Sequence, residues 1–130
     1  MKDDFRVYVL VRTDMASMTT GRIAAQCHHA SDALRYQILT KKCYTSGKYE
    51  AWASSTQQGF GTVIILKCDE QQMYDQYNLL CVKLPSVVVH DPEYCIKDGD
   101  YVHKIPVDTC AAFLVKMDGD EQYFSHFELL

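Results

Sequence analysis

The sequence lacks the features that mark membrane and secreted proteins. No apolar run approaches the ~20 residues that a membrane-spanning helix needs. The opening Met-Lys-Asp-Asp-Phe has no long apolar core of the kind found in a signal peptide. Internal repeats and low-complexity tracts are also missing. We therefore expect a cytoplasmic protein that does not enter a membrane.

Sequence motifs for metals and phosphates are absent as well. There is no HExxH pattern, no paired-cysteine spacing and no glycine-rich phosphate loop. His28 and His29 are neighbours, but adjacent side chains on a helix diverge, so we expect neither a metal nor a cofactor. The six cysteines show no CxxC pair and are expected to be reduced, as is usual in cytosolic proteins. They stand at positions 27, 43, 68, 81, 95 and 110.

Positive charge is scarce too. The 13 basic and 17 acidic side chains give a formal net charge of −4, so binding to nucleic acid would require a local basic patch. Two groups of basic residues are candidates for one joint patch, and solvated surface charge is the ordinary alternative. The first group is Arg35, Lys41, Lys42 and Lys48, and the second is Lys97, His103 and Lys104.

What the chain does contain is enough apolar material for a core. Of its 130 residues, 48% are apolar and 12% are aromatic, which predicts one compact domain over residues 1–130 and argues against a disordered chain. Signals for strands and helices alternate, and this alternation predicts an α/β fold.

The predicted elements can be given with approximate bounds. Strands are predicted at Phe5–Arg12, Thr62–Lys67, Ser86–His90 and Thr109–Val115. Helices are predicted from Gly21 to about Lys42, from Tyr49 to Ser55, from an Asp69 cap to about Val82 and from Asp120 to about His126. The polar segment Pro92–Pro106 is predicted to be mostly loop.

The segment GRIAAQCHHA, residues 21–30, gives the first helix two distinct faces. At about 100° per residue, Arg22, Gln26 and His29 fall within one narrow sector, beside small alanines. An apolar stripe lies about a quarter-turn away and is formed by Ile23, Cys27, Ala30, Leu34 and Ile38. The stripe is expected to face a sheet, with Thr19 or Thr20 as the helix cap. The polar row is expected to lie at the rim of that sheet as a candidate site.

Two segments, Val9–Met15 and Met18–Ala30, carry a pattern that resembles the type 2 peptidyl-tRNA hydrolases. That family has a valine-rich strand, Arg-Asn-Asp-Leu, then Met-Gly-Lys-Gly-Lys, an aliphatic residue and Ala-Ala-Gln-Cys-Ser-His-Ala. Val88–Asp91 resembles its strand ending in an aspartate, and Thr109 its later threonine. Within this superfamily, Asp108–Ala112 and the ending Tyr123–Leu129 look closest to the eukaryotic peptidyl-tRNA hydrolase domain-containing proteins.

This resemblance implies a three-layer fold in which helices flank a mixed four-stranded sheet. It also implies hydrolysis of the ester that joins a peptide to the 3′ end of a tRNA, without a cofactor. A tRNA is then the expected partner, and a homodimer is expected because family members are often dimers.

The chain departs from the family pattern at the site itself. The family's catalytic lysine aligns with Arg22, its first motif lysine aligns with Thr20, and one extra residue precedes Met18. The glycine- and threonine-rich turn after the aspartate is replaced by Pro92-Glu93-Tyr94-Cys95. Arginine keeps the positive charge but cannot give up a proton at working pH. A role in stabilising charge survives this change, whereas a role as proton donor does not.

Ester hydrolysis needs an oriented water, a group that accepts a proton and a cation or dipole for the oxyanion. Asp91, at the carboxyl end of a strand, is expected to position or deprotonate the water. Arg22 is expected to stabilise the oxyanion or a phosphate. Thr109 is expected to hold the water or Asp91 by a hydrogen bond. Supporting or substrate-binding roles are expected for Thr20, Gln26, His29, Lys97 and Lys104.

Each of these residues also has an ordinary structural interpretation. Arg22 and Asp91 can form an ion pair at the rim, Thr109 can simply favour a strand, and His29 can be a hydrogen-bonded helix residue. Two other functions stay open. One is a module that binds tRNA or protein without turnover, and the other is hydrolysis of a different acyl substrate.

Overall fold

A computed structural model describes residues 4–41 and 46–130, apart from the side chain of Ser46. The predicted α/β fold is confirmed: one mixed sheet has helices on both faces. Its strand order is β2-β1-β4-β3. The strands are β1 (Phe5–Arg12), β2 (Val63–Cys68), β3 (Ser86–Asp98) and β4 (Tyr101–Lys116). The helices are α1 (Thr20–Thr40), α2 (Ser46–Ala53), α3 (Glu70–Leu80) and a short 3₁₀ helix, Glu121–Phe124.

Strand β1 is central, as its apolar residues on both faces predict. It pairs in parallel with β2 and antiparallel with β4. Val7, Val9 and Val11 are buried on one face, while Tyr8 and Leu10 are buried on the other. This alternation places a separate core on each side of the sheet.

The first core lies under α1 and α2, and the second lies under α3 and the C-terminal segment. The apolar stripe predicted for α1 is confirmed: Ala30, Leu34 and Ile38 are at most 2% exposed and pack on the sheet. On the other face, the ring of Phe124 stacks on Tyr8 with the centroids 4.6 Å apart. The sheet is therefore covered on both faces. Separately, no helix in the described ranges is long and apolar enough to cross a membrane.

The prediction of a loop over Pro92–Pro106 is wrong. Strands β3 and β4 continue through this segment as a hairpin, with Asp98 paired to Tyr101. Gly99, at φ +62°, is the first of the two turn residues, a position where a hairpin turn of type II′ requires glycine. The segment is polar because most of the hairpin is exposed. Its prolines are tolerated because the sheet is irregular at Pro92 and has only two strands there.

The other elements lie within a few residues of their predicted bounds. Helix α1 begins at Thr20 with Thr19 as the N-cap, but the Thr19 side chain makes no capping hydrogen bond. The predicted helix end near Lys42 lies outside the described residues. Cys43 lies outside them too, and the five described cysteines are free. Burial raises the pKa of Cys68 and of Cys110 to about 12, so both are neutral thiols packed as small apolar groups.

The start of α3 is fixed by a capping box. Asp69 Oδ1 accepts from the backbone N–H of Gln72 at 2.8 Å, and Gln72 Oε1 accepts from the Asp69 N–H at 2.9 Å. We expect Asp69→Ala to lower the free energy of unfolding by about 1 kcal/mol, because it leaves the backbone N–H of Gln72 without a protein partner. Urea unfolding measures the change.

Asp75→Ala is the matched control for this prediction. Asp75 is an exposed carboxylate in the same helix and accepts only a side-chain hydrogen bond from Gln71. Its loss should cost less than about 0.5 kcal/mol. Equal destabilisation by the two substitutions would show that the cap does not hold α3.

Candidate active site

The candidate site lies at one end of the sheet, the end at which β1 stops and α1 begins. We call this end of the sheet the site edge. Strands β1 and β3 are both antiparallel to β4, so they run in the same direction. Strand β1 ends at this edge, whereas β3 continues past it into the hairpin. Helix α1 begins at the same edge, after the loop that follows β1. Open α/β sheets place their binding sites at the carboxyl ends of strands. The topology therefore brings the start of α1 close to Asp91. This residue lies within β3, where the strand leaves the body of the sheet, and not at the carboxyl end of the strand as predicted.

Gln26 joins two of the predicted site residues. Its Nε2 donates to Asp91 Oδ2 at 2.8 Å, and its Oε1 accepts from the Thr109 hydroxyl at 2.6 Å. A carboxylate only accepts, so the amide is oriented with its nitrogen toward Asp91. Asp91 Oδ1 also accepts from the backbone N–H of Glu93 at 3.0 Å. The carboxylate is thus held by two hydrogen bonds and keeps further lone pairs for a water.

Two details differ from the predicted polar row. Gln26 is only 4% exposed and lies in the core rather than at the rim, and Thr109 is completely buried. Thr109 bonds to Gln26, not to Asp91 as expected. Gln26 thus connects the Thr109 hydroxyl to the Asp91 carboxylate, and neither Gln26 nor Thr109 is open to the cleft.

A β-bulge produces this arrangement. Val89 pairs with Cys110 and His90 pairs with Asp108, which leaves Thr109 without a partner on β3. In regular alternation Thr109 would share the α3 face with Ala111. The extra residue turns Thr109 toward α1 and sends the Asp108 side chain to the other face.

Arg22 is held by the loop before α1 and by the hairpin. Its Nη1 donates to the Ser17 carbonyl at 3.2 Å, and its Cζ lies 5.3 Å from the ring centroid of Tyr94. Tyr94 is 2% exposed, and its hydroxyl is 3.0 Å from Ser17 Oγ. No ion pair joins Arg22 to Asp91, although both residues are described. The rim ion pair offered above as the ordinary interpretation is therefore absent.

A cleft of about 320 Å³ opens beside Asp91. Its polar side chains come from α1 and β3 and are those of His29, Asp32, His90 and Asp91. His29 is exposed there, as its place in the predicted row suggests. Thr20 is also exposed, at the first position of α1. An acyl group bound in this cleft would lie against the Asp91 carboxylate.

Arg12 organises the opposite face of the same edge. It is 7% exposed and its guanidinium makes two 3.0 Å hydrogen bonds to Asp14. The same side chain contacts Glu70 at 2.9 Å and the Asp108 carbonyl at 3.1 Å. Hydrogen bonding between Arg12 and Asp14 raises the pKa of Arg12 and lowers that of Asp14. Arg12 thus links β1, β4 and α3 at the site edge.

A chain of three side chains lies next to Arg12 and was not anticipated from the sequence. His90 Nδ1 is 2.8 Å from Asp108 Oδ1, and the Tyr74 hydroxyl donates to Asp108 Oδ2. Burial acts to raise the pKa of Asp108, but the hydrogen bonds from Tyr74 and His90 outweigh it and leave that pKa below its usual value. The bond to Asp108 raises the pKa of Tyr74 to about 12. Asp108 is therefore an ionised acceptor for both neighbours.

The two groups of basic residues do not form one patch. Helix α1 runs back from the site edge at 1.5 Å per residue, which places Arg35 about 22 Å from Thr20 toward the other end of the sheet. Lys97 and Lys104 lie on the hairpin, which extends beyond the site edge. Lys42 falls outside the described residues. Only the hairpin lysines are therefore on the side of the site.

Among residues 4–41 and 46–130, no group of three or more His, Cys, Asp or Glu side chains is arranged to hold a metal ion. The groups available for chemistry here are Asp91 with its buried supports, Arg22, and the two histidines of the cleft.

Comparison with known proteins agrees with this architecture. The family model described as Peptidyl-tRNA hydrolase PTH2 matches residues 5–112, a range that includes Arg22, Gln26, Asp91 and Thr109. A search of curated proteins found no match. Since the matched range covers most of the sequence and the fold agrees with it, the chain belongs to the peptidyl-tRNA hydrolase PTH2 family.

Proposed function

We propose that this protein hydrolyses the ester between a peptide and the 3′ end of a tRNA, with water as the nucleophile and without a cofactor. The observation that carries the proposal is the Thr109–Gln26–Asp91 network beside the open cleft. Burying the polar side chain of a glutamine costs free energy of folding. Its use to fix one carboxylate at the wall of a cleft is therefore a reason to assign that carboxylate a function. Membership of the family supplies the substrate class.

In this mechanism Asp91 is the general base. Two hydrogen bonds fix its carboxylate, and the remaining lone pairs accept a proton from a water in the cleft. Arg22 supplies positive charge for the oxyanion or for a phosphate of the tRNA end. Its contacts with Ser17 and Tyr94 limit its freedom, so little conformational entropy is lost when it binds an anion.

The exposed lysines of the hairpin are proposed to contact the tRNA backbone. Lys97 and Lys104 project beyond the site edge, where the acceptor stem of a bound tRNA would continue. Thr20 and His29 are proposed to contact the terminal nucleotide or the acyl group. A cytoplasmic location and a homodimer stay predictions.

The test is release of N-acetylated amino acid from N-acetyl-aminoacyl-tRNA. We expect turnover by the wild-type protein, together with tRNA binding that weakens steeply as salt is added, because phosphate contacts release counterions. Binding that is weak and independent of salt would contradict a tRNA substrate. Release of acetylated amino acid at the uncatalysed rate would contradict hydrolysis.

A second candidate function is a binding module without turnover. It is favoured by the Arg22 guanidinium, which bonds to the Ser17 carbonyl and stacks on Tyr94, and forms no ion pair with Asp91. The same experiment separates the two candidates. A steep salt dependence of tRNA binding without any release would identify the module.

A further inference from the structure

His90 lines the same cleft as Asp91. Breaking the ester leaves a ribose 3′ oxygen that must be protonated, and Arg22 cannot supply the proton. We propose that His90 is the proton donor to this oxygen and that Asp108 and Tyr74 are its positioning residues. This inference rests on the hydrolysis proposed above.

Asp108 fixes the orientation of the His90 imidazole. Asp108 is ionised and can only accept, so the proton on the shared hydrogen bond lies on His90 Nδ1. The second oxygen of Asp108 is occupied by the Tyr74 hydroxyl. The carboxylate therefore fixes the ring and leaves Nε2 as the nitrogen that faces away from Asp108. In the imidazolium form of the ring, Nε2 also carries a proton.

The free nitrogen of His90 is accessible. The His90 side chain is 60% exposed, and its Nε2 has no partner in the described part of the protein. His90 lines the cleft that contains Asp91 and also the cleft, of about 370 Å³, in which Asp108 and Tyr74 lie. It therefore stands at the boundary of the two clefts, with its supports on one side and the general base on the other.

His29 is the other histidine of the Asp91 cleft, but it is less suited to this role. It is exposed on α1, and no carboxylate in the described ranges is bonded to it. The neighbouring Asp32 pairs with His28 instead. Only His90 combines a fixed ring with a nitrogen open to the cleft.

The proton balance of the reaction is complete with these groups. Water attacks the ester carbonyl carbon and gives one proton to the Asp91 carboxylate. When the tetrahedral intermediate collapses, the bond from carbon to the 3′ oxygen breaks and its electron pair goes to that oxygen. The oxygen takes the proton of His90 Nε2. The products are the peptide acid and the tRNA 3′ hydroxyl, and solvent returns a proton from Asp91 to His90.

The experiment is chemical rescue of His90→Ala with imidazole, using N-acetyl-aminoacyl-tRNA. We expect the variant to release acetylated amino acid about 100-fold more slowly than wild type. Added imidazole should restore at least a tenth of the lost rate, because the site is open enough to admit it. Asp91→Asn in the same imidazole is the control and should show no rescue. Thermal unfolding of each variant checks that the fold is intact.

Every outcome is decisive. Rescue of His90→Ala alone supports the inference. A variant as fast as wild type, or a slow variant that imidazole does not rescue, would overturn it while the hydrolysis itself stands. An inactive wild-type protein would overturn the proposed function, and His90 would then have no reaction to serve.

Discussion

Asp91→Asn is expected to slow release of peptide from N-blocked aminoacyl-tRNA by about 10³-fold, which is about 4 kcal/mol of transition-state stabilisation. An amide has nearly the shape of the carboxylate but cannot take a proton from water. The substitution also removes a negative charge from the cleft wall, so affinity for tRNA should stay the same or rise slightly. Single-turnover rates and tRNA binding measured on the same samples separate the two effects.

Asp32→Asn is the matched control for this expectation. Asp32 is an exposed carboxylate in the same cleft, but it pairs with His28 and has no bond to Gln26. Its rate of release should stay within about threefold of wild type. Equal loss in both variants would mean that the negative charge of the cleft matters and that Asp91 is not a general base.

Much of the site could be predicted because helical periodicity is strict. Arg22, Gln26 and His29 were placed on one face by spacing alone, and the apolar stripe of α1 packs as expected. Periodicity cannot say how deep a residue lies. Gln26 was expected at the rim and is buried, because its side chain bonds to Asp91 and Thr109 where bulges interrupt the pairing of β3 with β4.

The orientation of Thr109 and Asp108 depends on the register between β3 and β4, which local sequence patterns do not fix. Without the bulge at Thr109, strict alternation would put Asp108 on the α1 face and Thr109 on the α3 face. The contact of Asp108 with Tyr74 and His90 joins residues from three elements. No short-range signal in the sequence connects those three positions.

The hairpin is different, because a signal for it was present. A Gly-Asp pair, here at 99–100, is a known signal for a two-residue hairpin turn. The polar composition and the two prolines of Pro92–Pro106 argued for a loop instead. A two-stranded hairpin that leaves the body of the domain is mostly exposed and buries few apolar residues, and composition is therefore a poor guide there.

The two faces of the sheet at the site edge carry two separate hydrogen-bond networks. Asp91 and its supports lie on the α1 face, whereas His90 and its supports lie on the α3 face. Adjacent residues of one strand thus belong to separate hydrogen-bond networks. A change in one network should leave the other intact, and this separation makes substitutions of Gln26 an independent test of the Asp91 network.

Gln26→Glu is expected to make stability depend strongly on pH. The new carboxyl oxygen would replace Nε2 at 2.8 Å from Asp91 Oδ2, and two carboxylates at that distance cannot both be ionised. The folded protein must therefore hold a proton that the unfolded chain gives up near pH 4, so the pKa of the new carboxyl group is raised on folding. The resulting stability is present at low pH and is lost as pH rises, by about 1.4 kcal/mol per pH unit.

Between pH 5 and pH 7 the variant should lose about 3 kcal/mol relative to wild type, as measured by urea unfolding at several pH values. Turnover at pH 7 should fall as well, because Asp91 then shares a proton with the new carboxyl group and is a weaker base.

The double variant Gln26→Glu with Asp91→Asn supplies the control. It restores one amide and one carboxylate with their order reversed, and the Thr109 hydroxyl keeps its acceptor. The pH slope should disappear in the double variant, while turnover should stay low because Asp91 is still replaced by an amide. Persistence of the slope there would mean that the proton is held elsewhere, and a single variant without any slope would show that Gln26 and Asp91 do not share this hydrogen bond.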